Sequence, residues 1–313
     1  MLNFKDNATA FSFEVLPPLR GKSIDSVYRT IDQLMPFHPA YINITTHRNE
    51  NVFRDLGNGM FEKLSVRSRP GTVAIAAALK GRYGVTTVPH IICSGFSRTE
   101  IENELFDLSF LGITDLLVLR GDRARDENRF IPAPGGYSHA VELCHQVNEF
   151  NQGLLIDGTQ RTAPEVPFTY GVAGYPEKHD EAMNFDTDIE HLKAKVAQGA
   201  QYIVTQMFFD NSKYFSFVNR LREEGITVPV IPGIKPLTTL NHCTMLPKTF
   251  HIDFPVELSR EFIKCKNNAD VKSLGVEWAI QQARELKEAH VPSIHFYTMN
   301  AFDSVEKIAK AVY

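Results

Sequence analysis

The sequence contains few cysteines and almost no excess charge. Its 313 residues include four cysteines that lie far apart with no paired spacing: Cys93, Cys144, Cys243 and Cys265. This pattern argues against a disulfide framework or a cysteine-based zinc site, and it is typical of a cytosolic protein with reduced thiols. The formal net charge of −4 argues against a nucleic-acid-binding protein, which would carry a basic surface.

Long apolar runs are also missing. No stretch reaches the length that is needed to span a bilayer, and the N-terminal MLNFKDNATA lacks the basic and apolar regions of a signal peptide. No His, Asp or Glu spacing is typical of a metal site, and no serine with a nearby base indicates a nucleophile elbow. We therefore expect a cytoplasmic protein that binds no metal, no membrane and no nucleic acid.

Short apolar strands alternate with helical periodicity along the chain. The eight predicted strands lie in FSFEVLPP, AYINITTH, TTVPHIIC, DLLVLRGD, FTYGVAGYP, YIVTQMFFD, VPVIPGIKP and SIHFYTMN. This pattern predicts an α/β fold, a (β/α)8 TIM barrel in a single catalytic domain over residues 1–313, with extra helices before the eighth strand. An open doubly wound sheet is the alternative, but its glycine-rich turn is missing after the first strand.

Two segments stand outside this alternation. A loop rich in Asn, Gly and Arg is predicted after the second strand. Residues 151–167, NQGLLIDGTQRTAPEVP, are polar and rich in turn residues, so we expect a hairpin or surface insertion there rather than a domain linker.

Polar side chains gather where the predicted strands end. In a barrel these ends share one rim, which carries the chemistry of such enzymes. Each residue alone has an alternative role as a satisfied polar group or turn residue. Their convergence nevertheless predicts a site made of Glu14, Thr45, Thr46, His90, Arg120, Asp122, Tyr175, His179, Gln206, Lys235 and Tyr297.

Three charged residues have more than one interpretation. Glu14 has apolar flanks, which would raise its pKa and suit it to general acid work, although pairing with a neighbouring cation is the structural alternative. Asp188 and Lys195 are seven residues apart, so they share one face of a predicted helix. That face is either solvated, or it meets a ribose hydroxyl and a phosphate.

Seven motifs in chain order, FSFEVLPP, VPHIIC, VLRGD, AGYPEKH, TQMFFD, VIPGIKP and HFYTMN, resemble the methylenetetrahydrofolate reductase family in its short bacterial form. The resemblance covers the chain from about residue 11 to its end. It implies a flavoprotein with non-covalent FAD, NADH or NADPH as electron donor, and ping-pong reduction of 5,10-methylenetetrahydrofolate to 5-methyltetrahydrofolate. It also implies a place in one-carbon metabolism and methionine biosynthesis, and a homo-oligomer.

The motifs carry the family's site residues onto this chain. Glu14 matches the general acid, and Asp122 matches an acid near the flavin and the pterin. Gln206 matches a substrate-binding glutamine, and Leu240 falls where a relative offers a substrate contact. The positions that match FAD-binding residues are Thr45, His90, Leu119, Arg120, Gly121, Asp122, Tyr175, His179, Asp188, Lys195 and Tyr297.

Departures from the family pattern and two rival functions remain. The family commonly has an arginine after HFYTMN for the folate glutamate tail, where this chain has Ala301. A flavin-free barrel lyase or isomerase would use Glu14 and Asp122 as acid and base. A folate- or flavin-binding subunit reduced by a partner protein is the other alternative.

Overall fold

The computed structural model describes residues 2, 4, 8–124, 127–299 and 302–313. The strands are β1 (Ala10–Val15), β2 (Tyr41–Ile44), β3 (Asn49–Gly57), β4 (Met60–Arg67), β5 (Thr87–Ile92), β6 (Asp115–Leu119), β7 (Thr169–Gly174), β8 (Tyr202–Thr205), β9 (Val230–Ile231), β10 (Gly233–Ile234) and β11 (Ser293–Tyr297). The helices are α1 (Asp25–Leu34), α2 (Thr72–Tyr83), α3 (Arg98–Phe110), α4 (Ala140–Asn151), α5 (Phe185–Ala197), α6 (Asn211–Glu223), α7 (His242–Phe250), α8 (Val256–Phe262), α9 (Asn268–Glu288) and α10 (Phe302–Val312).

The predicted (β/α)8 class is confirmed. Strands of the larger sheet follow the hydrogen-bonded order β10-β11-β1-β2-β5-β6-β7-β8-β9, and helices alternate with them along the chain. β9 and β10 are two halves of the predicted seventh strand. They are interrupted at Pro232, which has no N–H to donate to a ladder, although its carbonyl accepts from His295 N at 2.9 Å.

The chain divides into two compact units. The first comprises Met1–Leu16, Arg29–Asn43 and Tyr170–Tyr313, and the second comprises Pro17–Tyr28 and Ile44–Thr169. A single catalytic domain over residues 1–313 stays a prediction. Within the described residues, no helix is long and apolar enough to cross a membrane.

The first unit holds the strands from both ends of the chain. β11 pairs in parallel with β1 and with β10, while β8 pairs in parallel with β7 and β9. The predicted extra helices before the last strand are α8 and α9. Together with α7 they bury an apolar cluster that includes Leu237, Leu246, Leu258, Phe262 and Val271, so their main role is packing.

The second unit contains an antiparallel hairpin, β3–β4, where the sequence predicted a loop. That prediction was wrong. Asn58 and Gly59 have φ values of 55° and 76°, and an Asn-Gly pair with both φ positive is the favoured two-residue hairpin turn. Every residue of β3 is exposed, so no buried face imposes the alternation by which a strand is recognised.

Residues 151–167 form a turn that is anchored on two helices of the same unit. Leu154 and Gln160 form an antiparallel bridge, and Ile156 N donates to Glu102 Oε2 of α3 at 2.8 Å. The Arg161 guanidinium lies 4.8 Å from the ring centroid of Phe106 and 4.2 Å from that of Phe150. Arg161 therefore attaches the segment to the aromatic surface of α3 and α4.

Arg161→Ala should lower the free energy of unfolding by about 2 kcal/mol, because two cation–π contacts and the packed stem are lost. Urea unfolding measures the change. Arg29→Ala, at an exposed position of α1, is the control and should stay within about 0.5 kcal/mol of the parent protein. Equal stability of both variants would mean that Arg161 does not anchor the segment.

Candidate active site

Three ionisable side chains end adjacent parallel strands of the first unit. Glu14 of β1 pairs with Tyr297 of β11, and Ile234 of β10 pairs with Phe296, which places Lys235 beside Tyr297. Side chains alternate along a strand, so Glu14, Tyr297 and Lys235 lie on one face of these strands. Glu14 is 7% exposed and Lys235 is 6% exposed. The structure therefore places a carboxyl, a phenol and an ammonium at one level of the sheet.

Glu14 is suited to donate a proton near neutral pH. Burial raises the pKa of its carboxyl from 4.5 to about 7, and the charge of Lys235 lowers that pKa in part. Its backbone is fixed as well, since Thr298 Oγ1 donates to Glu14 O at 2.6 Å. A carboxyl with a pKa near the working pH is the condition for efficient general acid catalysis.

This raised pKa predicts a pH dependence of stability. Between pH 4.5 and about 7 the folded protein keeps a proton on Glu14 that the unfolded chain has lost. The stability that Glu14 contributes below pH 4.5 is therefore lost as the pH rises through about 7. Glu14→Gln removes this loss, so its stability relative to the parent protein should rise by up to about 3 kcal/mol across that window. Urea unfolding along a pH series measures it, and parallel curves would contradict the raised pKa.

Tyr297 is held by a neighbouring strand end. Its hydroxyl donates to Thr205 O of β8 at 2.6 Å, and burial raises its pKa well above 10, so it stays a neutral phenol. Gln206 follows Thr205, and its Oε1 accepts from Met207 N at 2.9 Å. This bond fixes the orientation of the amide, whose nitrogen is a hydrogen-bond donor.

The loop after β7 connects four of the predicted cofactor residues. The rings of Tyr175 and His179 meet edge to face with centroids 4.6 Å apart. Asp188 is buried in the first turn of α5, and its Oδ2 accepts from His179 N at 2.9 Å. Lys195 Nζ donates to Ala173 O of β7 at 2.7 Å. In this structure Asp188 and Lys195 therefore support the loop and the strand end.

The second unit carries the remaining predicted cofactor residues, which lie at or near the ends of β2, β5 and β6. His90 is 7% exposed, and burial lowers the pKa of its imidazole to about 3, so it is neutral at working pH. Its Nε2 is buried and has no hydrogen-bond partner among the described residues. Thr46 Oγ1 donates to His90 O at 2.5 Å, and Thr45 Oγ1 lies 3.1 Å from His47 Nε2.

The segment Leu119–Asp122 is fixed against the end of β5. Ser94 N donates to Arg120 O at 2.9 Å, and Ser94 Oγ donates to Asp122 O at 2.5 Å. Gly121 has φ 81°, and a Cβ there would lie 2.9 Å from Ser94 Cβ, so this close turn requires glycine. The Arg120 guanidinium lies 4.6 Å from the Phe130 ring centroid, and the Asp122 side chain is exposed.

Two further positions that were predicted from the sequence are Leu240 and Ala301. Leu240 lies in the turn before α7, is 39% exposed, and donates from its N–H to Asn268 Oδ1 at 2.9 Å. Ala301 lies outside the described residues. The sequence pattern included Lys235 among the strand ends but gave it no role, although a lysine directly after the apolar VIPGI was the available signal. Among the described residues, no group of three His, Cys, Asp or Glu side chains could hold a metal ion.

Comparison with known proteins shows the family of the chain. The sequence model described as methylenetetrahydrofolate reductase matches residues 2–313. The chain is 28% identical over 302 residues to methylenetetrahydrofolate reductase (NADH) 1 of Arabidopsis thaliana, and the match covers 93% of this chain and 46% of that protein. Methylenetetrahydrofolate reductase 1 of Schizosaccharomyces pombe is 28% identical over 308 residues, with 98% and 46% covered.

A bacterial relative matches over more of its own length. The 5,10-methylenetetrahydrofolate reductase of Salmonella typhimurium is 28% identical over 292 residues, with 92% of this chain and 86% of that protein covered. The chain spans less than half the length of the plant and yeast relatives. The resemblance that the motifs predicted is confirmed: the chain belongs to the methylenetetrahydrofolate reductase family.

Proposed function

We propose that this protein reduces 5,10-methylenetetrahydrofolate to 5-methyltetrahydrofolate with electrons from NADH or NADPH, through non-covalently bound FAD. Family membership supports the substrate class. The observation that carries the chemistry is Glu14, a buried carboxyl with a pKa of about 7 at a strand end. Bound FAD would supply the two-electron chemistry, which is hydride transfer from the nicotinamide to the folate.

The residues present fit a flavin. Within the described part of the chain, His90 Nε2 is a buried polar atom without a hydrogen-bond partner, on a neutral imidazole, which suits it to hydrogen-bond an uncharged group of a ligand. The turn at Gly121 packs closely on Ser94, which fixes the backbone of Leu119–Asp122 at the strand end. The residues that would hold FAD are Thr45, His90, Leu119–Asp122, Tyr175, His179, Asp188, Lys195 and Tyr297.

Glu14 would open the substrate ring. The proton of its carboxyl goes to the leaving nitrogen of the five-membered ring, the carbon–nitrogen bond breaks with its electron pair on that nitrogen, and a cationic iminium remains. The methylene carbon of this iminium is the hydride acceptor. A buried carboxyl that stays protonated up to pH 7 is the group that this step needs.

Asp122 and Gln206 would assist the same substrate. Asp122 is exposed after β6, and its backbone is held by Ser94. The family resemblance implies that its negative charge would stabilise the cationic iminium. The Gln206 amide nitrogen would donate to the pterin while its oxygen stays bound to Met207 N.

An anaerobic experiment in two steps tests the proposal. Flavin absorbance of the purified protein should be present and should bleach when NADH or NADPH is added. Adding methylenetetrahydrofolate should then restore the absorbance and yield 5-methyltetrahydrofolate. The ping-pong scheme predicts that each step proceeds without the other substrate.

Each failure of this experiment has a separate meaning. A protein that binds no FAD would favour the flavin-free lyase or isomerase. Flavin that neither nucleotide bleaches would contradict a nicotinamide donor and favour a partner protein. Bleaching without reoxidation by folate would overturn the substrate. The cytoplasmic location and the homo-oligomer remain predictions, and size-exclusion chromatography with light scattering tests the second.

A further inference from the structure

Lys235 is a buried ammonium to which the proposed chemistry has so far given no role. It is 6% exposed at the end of β10, and its Nζ lies 3.3 Å from the thioether sulfur of Met299. A thioether is only a weak acceptor. Burying a charged lysine is costly unless an opposite charge or strong acceptors accompany it, so the side chain needs a compensating group.

Glu14 is a buried carboxyl whose charge acts on Lys235. The register of β10, β11 and β1 puts both residues beside Tyr297 and on the same face. Each charge acts on the other group. Burial lowers the pKa of Lys235 and Glu14 raises it in part, whereas burial raises the pKa of Glu14 and Lys235 lowers it in part. Both groups are nearly removed from water. The attraction between two charges is stronger in the protein interior than in water.

Two further titratable groups of this unit, Tyr297 and His242, are uncharged near neutral pH. Tyr297 of β11 keeps its proton, because burial and the charge of Glu14 raise its pKa, and Tyr175 after β7 and Tyr41 of β2 act on Tyr297 in the same direction. His242 of α7 faces Lys235, and burial together with the lysine charge lowers its pKa to about 4. Lys235 is therefore the cation that acts on Glu14 in this group.

We propose that Lys235 is a positioning residue for the folate half-reaction, whose ammonium stabilises the Glu14 carboxylate that remains after proton transfer. Without it, the buried carboxyl would hold its proton more tightly, and the carboxylate formed on proton release would be uncompensated. The inference rests on the proposed function. It predicts that Lys235 sets the pH at which Glu14 stops being an effective donor.

The test compares the pH dependence of both half-reactions in the holoenzyme. In the parent protein, flavin reoxidation by methylenetetrahydrofolate should slow as the pH rises through about 7. In Lys235→Met that decline should move up by about one pH unit, and the rate at low pH should fall about tenfold, because one pKa unit corresponds to a tenfold change. Flavin bleaching by the nucleotide should keep its rate. Lys235→Arg, which retains the positive charge, should keep the decline near its parental pH.

A surface lysine provides the matched control. Lys248→Met, at an exposed position of α7, removes the same charge and should leave both profiles unchanged. A Lys235→Met profile that keeps its parental position, or moves to lower pH, would overturn the inference. Loss of the folate step at every pH in Lys235→Met, with full activity in Glu14→Gln, would also overturn it by making Lys235 the proton donor.

A second measurement needs no turnover. Isotope-edited infrared titration of the Glu14 carboxyl, with Glu14→Gln as the subtracted reference, should show ionisation at higher pH in Lys235→Met than in the parent protein. Lys235→Gln replaces the methionine variant if the latter does not fold. If the parent protein fails to reduce folate, the proposed function is wrong, whereas an unmoved infrared titration contradicts the Lys235–Glu14 coupling itself.

Discussion

Glu14→Gln should slow flavin reoxidation by methylenetetrahydrofolate by about 100-fold to 10,000-fold, the range that general acid catalysis contributes. The amide keeps the size and shape of the carboxyl but has no proton to give to the leaving nitrogen. Flavin bleaching by NADH or NADPH requires no such proton, so its rate should stay within about threefold of the parent rate. Anaerobic stopped-flow absorbance measures the two half-reactions separately.

The rates of the two half-reactions in Glu14→Gln also distinguish a proton donor from the other possible roles of Glu14. An equal loss of both half-reaction rates would indicate that Glu14 binds the flavin or stabilises the fold and does not donate the proton. Retention of both would remove it from the mechanism. Glu257→Gln, at an exposed position of α8 in the same unit, is the matched control and should change neither rate. The variant also stays informative about folding, since it should unfold at higher denaturant than the parent protein above pH 7.

The strands and the residues at their ends could be predicted because each signal is local. An apolar run followed by a polar or turn residue indicates both a strand and its end, and all eight predicted strands are present among the described residues. Glu14 was identified in the same way, from apolar flanks that predict desolvation. Its burial confirms the predicted desolvation, while its role as general acid stays a prediction.

The partnership of Glu14 with Lys235 could not be predicted, because it depends on register between strands that are distant in sequence. Only the pairing of β1 and β10 with the two sides of β11 brings the two residues to one level. The supporting roles of Asp188 and Lys195 depend on the path of the loop after β7, which no periodicity fixes. The β3–β4 hairpin was missed for another reason: its strands are largely exposed, and the Asn58-Gly59 turn was its clearest signal.

The close approach of α9 to the chain after Lys235 makes one glycine critical. A Cβ on Gly275 would lie 2.2 Å from the Leu237 carbonyl oxygen and 2.7 Å from its nitrogen, and this backbone cannot rotate aside as a side chain would. Gly275→Ala should therefore lower the free energy of unfolding by about 3 kcal/mol, despite the better helix propensity of alanine. The displacement should also slow the folate half-reaction, since Leu237 follows Lys235 by two residues.

A glycine-to-alanine substitution in α2 should have the opposite effect on the free energy of unfolding. Gly81 lies at an exposed position of α2, and no atom of the described residues would lie within 4 Å of an added Cβ. Gly81→Ala should therefore raise the free energy of unfolding by about 1 kcal/mol. Urea unfolding of both variants separates helix propensity from steric contact. Stabilisation at both positions would mean that α9 does not lie against Leu237. A destabilised Gly275→Ala with an unchanged folate half-reaction would instead show that the end of β10 keeps its geometry when α9 moves, and that Lys235 is held by its own strand.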